Sequence, residues 1–354
     1  VPLLQCVAQA EKRLVEAGQP RAYLPIDGLA AYDKSVQTLV FGANSDVVTS
    51  KRAVTVQALG GTGGLKIGAD FLRRLSPKAE VWISDPSWEN HRALFEYAGF
   101  KVNSYRYYSP ALNGLDADAF FESLQSIPAG DVVVLHACCH NPTGSDLTAD
   151  QWQRVMAIVA ERGLIPFLDL AYQGFGDGIE ADAEGLRTLA KTVPEMAVAQ
   201  SCSKNFSVYR DRVGVAILMA RNAAEADIAA SQLNSVARAM YSMPPDHGAA
   251  AVRIVMADDG LRADWEEELD GIRNRMIRLR EGLAAALRQR TNSDRFDFVA
   301  KHRGMFSRLG LTVDQVKRLR EEHGIYMVDD SRINVAGLPE DGLDDLAKAI
   351  VSVL

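Results

Sequence analysis

The stretch Ala53-Val54-Thr55-Val56-Gln57-Ala58-Leu59-Gly60-Gly61-Thr62-Gly63-Gly64 sets the fold. Its first seven residues are apolar and β-branched in the main and read as a buried strand. The glycine run ends that strand, and Leu65 to Leu75 then carries apolar residues at helical spacing. A second apolar run follows at Val81-Trp82-Ile83-Ser84. Strand, glycine turn, helix and strand in that order form the repeating unit of a parallel sheet.

Working outward, the same alternation continues from about residue 52 to 220. Val132-Val133-Val134-Leu135-His136, Leu164-Ile165-Pro166-Phe167-Leu168-Asp169 and Met196-Ala197-Val198-Ala199-Gln200 read as further strands separated by helix-like sequence. The expected fold class is α/β: a three-layer, mostly parallel sheet with helices on both faces. A long charged helix, roughly Leu261 to Gln289, leads into a smaller C-terminal α+β domain. The expected division is a large domain over residues 1–265 and a small one over 266–354. Near the start, Leu4, Val7, Ala8, Leu14 and Val15 lie on or near one helical face, with Gly18 as the stop. The chain has no initiator Met, and a segment upstream of Val1 is expected.

Composition narrows the function classes. A chain of 354 residues buries a large core, and the net charge of -7 argues against nucleic acid as a bulk partner. No apolar run approaches the roughly 20 residues that cross a bilayer, and the start lacks a signal-peptide pattern. Cys6, Cys138, Cys139 and Cys202 show no disulfide spacing, so reduced thiols and a cytoplasmic location are expected.

Nearly every unusual polar residue follows a strand, where ligands bind on sheets of this kind. Gly60-Gly61-Thr62-Gly63-Gly64 opens a helix whose N-terminus suits a phosphate, although a plain tight turn reads equally well. Trp88, in Asp85-Pro86-Ser87-Trp88-Glu89-Asn90-His91, is either a core residue or a stacking face for a flat ligand. In an extended run His136, Cys138 and His140 share a face and raise the question of a metal. No fourth ligand accompanies them, and Asn141-Pro142-Thr143-Gly144 turns the chain, so no metal is expected. Asp169 suits a protonated ring nitrogen or, as the alternative, a helix N-cap; Tyr172 follows it closely. Lys204, in Ser201-Cys202-Ser203-Lys204-Asn205-Phe206, has hydroxyl neighbours, and Arg212 lies eight residues on. Partial desolvation and cationic neighbours would make such a lysine nucleophilic.

Together these motifs resemble the fold-type I pyridoxal-phosphate aminotransferases, in particular the aspartate and aromatic amino acid branches. The resemblance runs from Tyr23-Leu24-Pro25-Ile26-Asp27-Gly28 to Ser331-Arg332-Ile333-Asn334-Val335-Ala336-Gly337. It implies that Lys204 carries pyridoxal 5'-phosphate as a Schiff base and later shuttles a proton. Asp169 would pair with the ring nitrogen, Tyr172 and Asn141 with its phenolic oxygen, and Trp88 with its face. Gly61, Thr62, Ser201, Ser203 and Arg212 would hold the phosphate, joined by Tyr23 of the neighbouring subunit in a homodimer with shared sites. Arg332 would grip the α-carboxylate and Arg238, across the dimer interface, a side-chain carboxylate; Phe306 completes the substrate wall.

The resemblance implies amino-group transfer from aromatic amino acids, aspartate or both to 2-oxoglutarate by a ping-pong route. A strict aspartate enzyme, a β-lyase or decarboxylase on the same fold, and a cofactor-binding regulator are the rival readings. Two residues depart from the pattern. Met243 stands where relatives usually carry Asn or Ser, and Arg308, two residues after Phe306, replaces an aromatic.

Overall fold

The computed structural model describes residues 3–354. Its centre is a seven-stranded sheet. The strands are β1 (Ala53–Leu59), β2 (Val81–Asp85), β3 (Val102–Arg106), β4 (Val132–His136), β5 (Ile165–Leu170), β6 (Met196–Ser201) and β7 (Val213–Met219). Their spatial order is β1-β7-β6-β5-β4-β2-β3. Only β7 runs against its neighbours; the remaining pairs are parallel. Strands β3 and β7 add to the five anticipated from sequence.

Alternation builds the two faces. In β4, Val133 and Leu135 join one core while Val132 and Val134 join the other. In β6, Met196 and Val198 face the first, and Ala197 and Ala199 the second. A strand buried on both faces needs apolar residues at both parities, so these runs are continuous rather than alternating.

Helices α1 (Gln5–Ala17) and α2 (Ala30–Phe41) pack into the first core, and Gly18 closes α1 in the left-handed conformation at φ 55°. The second core is covered by α3 (Gly60–Leu75), through Leu65, Ile67, Ala69 and Leu72. Close approach explains two of its glycines. A Cβ on Gly64 would lie 2.3 Å from the Val215 carbonyl oxygen, and one on Gly68 2.5 Å from the Phe167 ring. Two further helices matter for the site, α4 (Glu89–Tyr97) and α5 (Ala223–Tyr241).

The charged helix forms as α6 (Asp259–Thr291), and the expected division at 265/266 falls inside it. Met276 still belongs to the first large core, whereas Leu279, Leu283 and Leu287 enter a separate C-terminal core with Val316, Ile333 and Ile350. That unit carries a two-stranded ribbon, β8 (Phe306–Arg308) against β9 (Arg332–Asn334). No helix among the described residues is long and apolar enough to cross a membrane.

Candidate active site

The strand register delivers the site. His136 of β4 pairs with Asp169 of β5, and Leu170 with Gln200 of β6, so their carboxyl ends stand level. A cavity of about 220 Å³ opens there. Its floor and walls include Trp88, Asn141, Asp169, Tyr172 and Lys204; Gly61, Thr62, Ser201, Ser203 and Arg212 line it too.

The last five form an anion cradle. Gly61 and Thr62 occupy the first turn of α3, where no side chain caps the free N–H groups. Such an end attracts anions through unpaired donors and the aligned peptide dipoles. Ser201 ends β6, and its Oγ accepts a 3.2 Å hydrogen bond from the Ser203 N–H. Arg212 wraps over the glycine turn: its carbonyl accepts the Gly60 N–H at 2.9 Å, and its guanidinium donates to Leu59 and Tyr209 carbonyls. Gly60 has φ 68°, and a Cβ there would meet Arg212 Nη2 at 2.6 Å. The glycine-rich stretch thus opens a helix against a binding cavity, so the plain tight turn is set aside.

Asp169 lies inside β5, and no helix begins at it; the N-cap alternative therefore falls. Its Oδ2 is 2.9 Å from His91 Nε2. Burial pushes this carboxyl up, but the hydrogen bond and charge of His91, aided by His136 and Lys204, more than offset it and hold the group below its ordinary value. Lys204 is shifted down, chiefly by burial and further by Arg212, against the pull of Asp169. Its Nζ sits 4.6 Å from the centre of the Tyr172 ring. Burial, with Asp169 next in effect, raises the Tyr172 phenol, so it stays protonated at neutral pH. Trp88 is half-buried: it packs against the second core, meets His91 edge-on at 5.3 Å and also lines the cavity wall, so each of its two readings holds in part.

Arg332 and Phe306 stand beside this cavity on the ribbon. Arg332 Nη1 donates to Asn141 Oδ1 at 3.4 Å, and its guanidinium lies 5.1 Å from the Phe306 ring. Phe306 meets Tyr172 edge-on at 6.5 Å. Tyr23 and Arg238 are not brought to the cavity of their own chain. Tyr23 is 93% exposed, and Arg238 is exposed in the last turn of α5. The segments carrying them are nevertheless joined, because the Leu24 N–H points to Met243 Sδ at 3.1 Å.

The shared face that an extended run would give His136, Cys138 and His140 does not form. The strand stops at His136, and Cys139 takes φ 51°, which breaks the extended run. His136 and His140 rings still meet at 4.2 Å, but burial above all drives both away from the charged form, His136 to about 3. Cys138 instead joins Cys139 and Asp182, the one trio among the described residues close enough to hold a metal ion. The Asp182 carboxylate is taken up by the N–H groups of Gly174, Gly176 and Asp177. The Cys139 thiol, pushed up to about 12 by burial, stays protonated.

Sequence reasoning gave no role to His91 or Tyr209 and weighed His136 only as a metal ligand; all three stand at the site. His91 stood in a quoted motif three residues after Trp88, the only available signal. A larger hollow of about 650 Å³ lies on the C-terminal unit near Ile325, Leu338 and Leu343, away from Lys204.

A lysine amine, a buried carboxylate and an anion cradle on one cavity form a site for a phosphorylated ring aldehyde. The family model for aminotransferase class I and II matches residues 2–350. The chain belongs to the class I and II aminotransferases. Its chemistry is therefore amino-group transfer. The chain is 51% identical to an aspartate aminotransferase of Pseudomonas aeruginosa over 354 residues, spanning 100% of this chain and 89% of that one. It is 44% identical to an aromatic-amino-acid aminotransferase of Paracoccus denitrificans over 352 residues, spanning 99% and 89%. The crystal structure of an aromatic-amino-acid aminotransferase from Burkholderia pseudomallei, covalently bound to pyridoxal phosphate, superposes with a TM-score of 0.98. It shares 53% identity over 100% of this aminotransferase and 88% of that chain.

Proposed function

We propose that this pyridoxal-phosphate-dependent aminotransferase moves the amino group of aromatic amino acids and of aspartate to 2-oxoglutarate, with Lys204 as the cofactor's anchor and proton shuttle. The observation that carries this reading is the convergence of Lys204, Asp169 and the Gly61–Arg212 cradle on one cavity. The cavity fits the cofactor: a Cβ on Gly60 or Gly61 would fill the cradle, and the buried carboxylate matches a ring cation. When bound, pyridoxal phosphate supplies an electron-withdrawing ring that stabilises negative charge at the substrate α-carbon.

The protein supplies the rest. Asp169, kept ionised by His91, maintains the ring nitrogen's proton. Lys204, partly desolvated, has an amine of lowered basicity that moves the α-proton once it is free. Tyr172 and Asn141 offer a phenol O–H and an amide to the ring's phenolic oxygen. Trp88 supplies an aromatic face. Gly61, Thr62, Ser201, Ser203 and Arg212 bind the phosphate, and Arg332 orients the substrate through its α-carboxylate, with Phe306 beside it.

We further propose a cytoplasmic homodimer in which Tyr23 and Arg238 serve the partner's site. Their exposure outside their own cavity supports this, as do the four free, buried cysteines. Functionally, residues 1–265 would carry the cofactor groups and 266–354 the carboxylate grip of Arg332.

The test is an absorbance spectrum of purified protein loaded with cofactor, before and after glutamate, then tyrosine, phenylalanine and aspartate. A visible band that moves to the ultraviolet with each donor supports the reading. A response to aspartate and none to either aromatic amino acid would leave a strict aspartate enzyme.

A further inference from the structure

Arg308 and Arg332 are directly opposed on the β8–β9 ribbon. Directly opposed residues of an antiparallel pair point to the same face with Cβ atoms about 5 Å apart, and like charges there are destabilising. A counter-charge resolves the conflict. Asp330 Oδ2 accepts from Arg308 Nε at 3.1 Å and from Nη2 at 2.7 Å. Its other oxygen, Oδ1, accepts the Arg332 backbone N–H at 3.1 Å. Asp330 thus touches both arginines, but it spends its carboxylate on the Arg308 guanidinium and only on the backbone of Arg332.

The consequence falls on Arg332. Among the described residues its guanidinium has no carboxylate partner; its contacts are the Asn141 amide oxygen and the Phe306 ring. Yet a carboxylate sits two positions away in the chain. With Arg308 absent, that carboxylate would be left without its cation beside a guanidinium that has none of its own. Arg308 is itself held, over the ring of Tyr108 at 5.9 Å, so it is fixed in a pose that faces Asp330.

We propose that Arg308 is a positioning residue that sets affinity for the substrate α-carboxylate: by engaging Asp330 it keeps Arg332 unpaired and open to substrate. The inference rests on Arg332 being the carboxylate grip. It also distinguishes Arg308 from a side-chain selector. Every substrate brings the same α-carboxylate, so loss of Arg308 should weaken aromatic and dicarboxylic substrates by the same factor.

The experiment is steady-state kinetics on cofactor-loaded enzyme for R308A, D330N, the double variant R308A/D330N and R332A, with tyrosine, aspartate and 2-oxoglutarate. In R308A, KM should rise about 5- to 10-fold for all three at a kcat within about twofold, the scale of a partly exposed ion pair set against a carboxylate ligand. D330N added to R308A should restore KM, because asparagine still accepts the Arg332 N–H but carries no charge. A structural role for the Arg308–Asp330 pair would give the opposite, since deleting both partners would not repair a lost contact. Unchanged KM in R308A, no restoration in the double variant, or a rise confined to one substrate overturns the inference. If R332A itself leaves KM unmoved, the carboxylate-grip reading falls as well, whereas a large rise in R332A beside a silent R308A removes only the present inference. Should R308A not fold, R308K serves in its place with a smaller rise and the same demand for restoration by D330N.

Discussion

His91 Nε2 and Asp169 Oδ2 meet at 2.9 Å with His91 fully buried. An ionised carboxylate only accepts, so Nε2 carries the proton. The other ring nitrogen, Nδ1, faces Ser87 Oγ at 2.9 Å, and that hydroxyl also reaches His136 Nε2 at 3.2 Å. A chain from the carboxylate through His91 and Ser87 to His136 thus backs the group assigned to the ring nitrogen.

Removing this backing should act on chemistry more than on binding. H91L deletes the donor that opposes burial at Asp169, so the carboxyl should drift upward and hold its charge less well. A hydrogen bond to a charged group is worth about 1.5–3 kcal/mol, or roughly 10- to 100-fold in kcat. The expected result is that loss at little change in KM, with partial recovery in H91Q, which restores an N–H donor. Full activity in H91L would show that Asp169 needs no partner.

Lys204 is the second test. K204A should bind cofactor through the cradle yet lose at least about 10²-fold in the half-reaction with glutamate, the range for removal of a general acid–base group. Borohydride treatment should attach cofactor covalently to the wild-type protein at the Lys204 peptide and not to K204A. Attachment at any other lysine would move the anchor elsewhere.

How legible was this site? Apolar runs ending in Leu59, His136, Asp169 and Gln200 placed the strand ends within about a residue, because a strand buried on both faces leaves an uninterrupted apolar signal. Residues just beyond them, from Gly61 to Lys204, then fell into one cavity as the parallel topology demands. What escaped were contacts set by tertiary geometry. His91 lies in a helix 78 residues from its partner Asp169, and nothing local marks the pair. Cys139 turns left-handed just past the strand end, so the extended run that would have aligned Cys138 with the two histidines is not formed. Asp330 carries no motif; only the register of Arg308 against Arg332 gives it meaning.

Arg280 offers a stability prediction from the same neighbourhood. It is 1% exposed and has no carboxylate partner among the described residues. Its guanidinium donates to the Val299, Arg303, Gly304 and Phe306 carbonyls and to Ser307 Oγ. Methionine would fill much of the volume but leave those acceptors unmet, a loss of about 3 kcal/mol or more. R280M should therefore lower the melting temperature, and R280K should rescue little because an ammonium cannot reproduce the planar fork. Since Arg303 and Gly304 form the turn entering β8, and Phe306 and Ser307 belong to that strand, KM should rise as well. An unchanged melting temperature would mean that water replaces the guanidinium.

Asp33 gives the pH test. It sits in α2 at 7% exposure, and its Oδ1 has no hydrogen-bond partner among the described residues. Burial first, then the nearby Asp27 carboxylate, pushes it up to about 9. In the unfolded chain an aspartate titrates near 3.9. Between about pH 4 and 9 the folded state holds a proton that the unfolded state releases, so this group lowers stability steadily as pH rises through that window. D33N keeps the shape of the protonated acid without the titration. It should flatten the slope and gain up to about 4 kcal/mol over wild type at pH 7, with the gap small near pH 4. Denaturant unfolding of both proteins at pH 4.5, 7 and 9 measures it. Parallel stability curves would mean that Asp33 is charged in the folded protein and has found a partner, and the buried acid would then be a site of ionic bonding rather than a proton store.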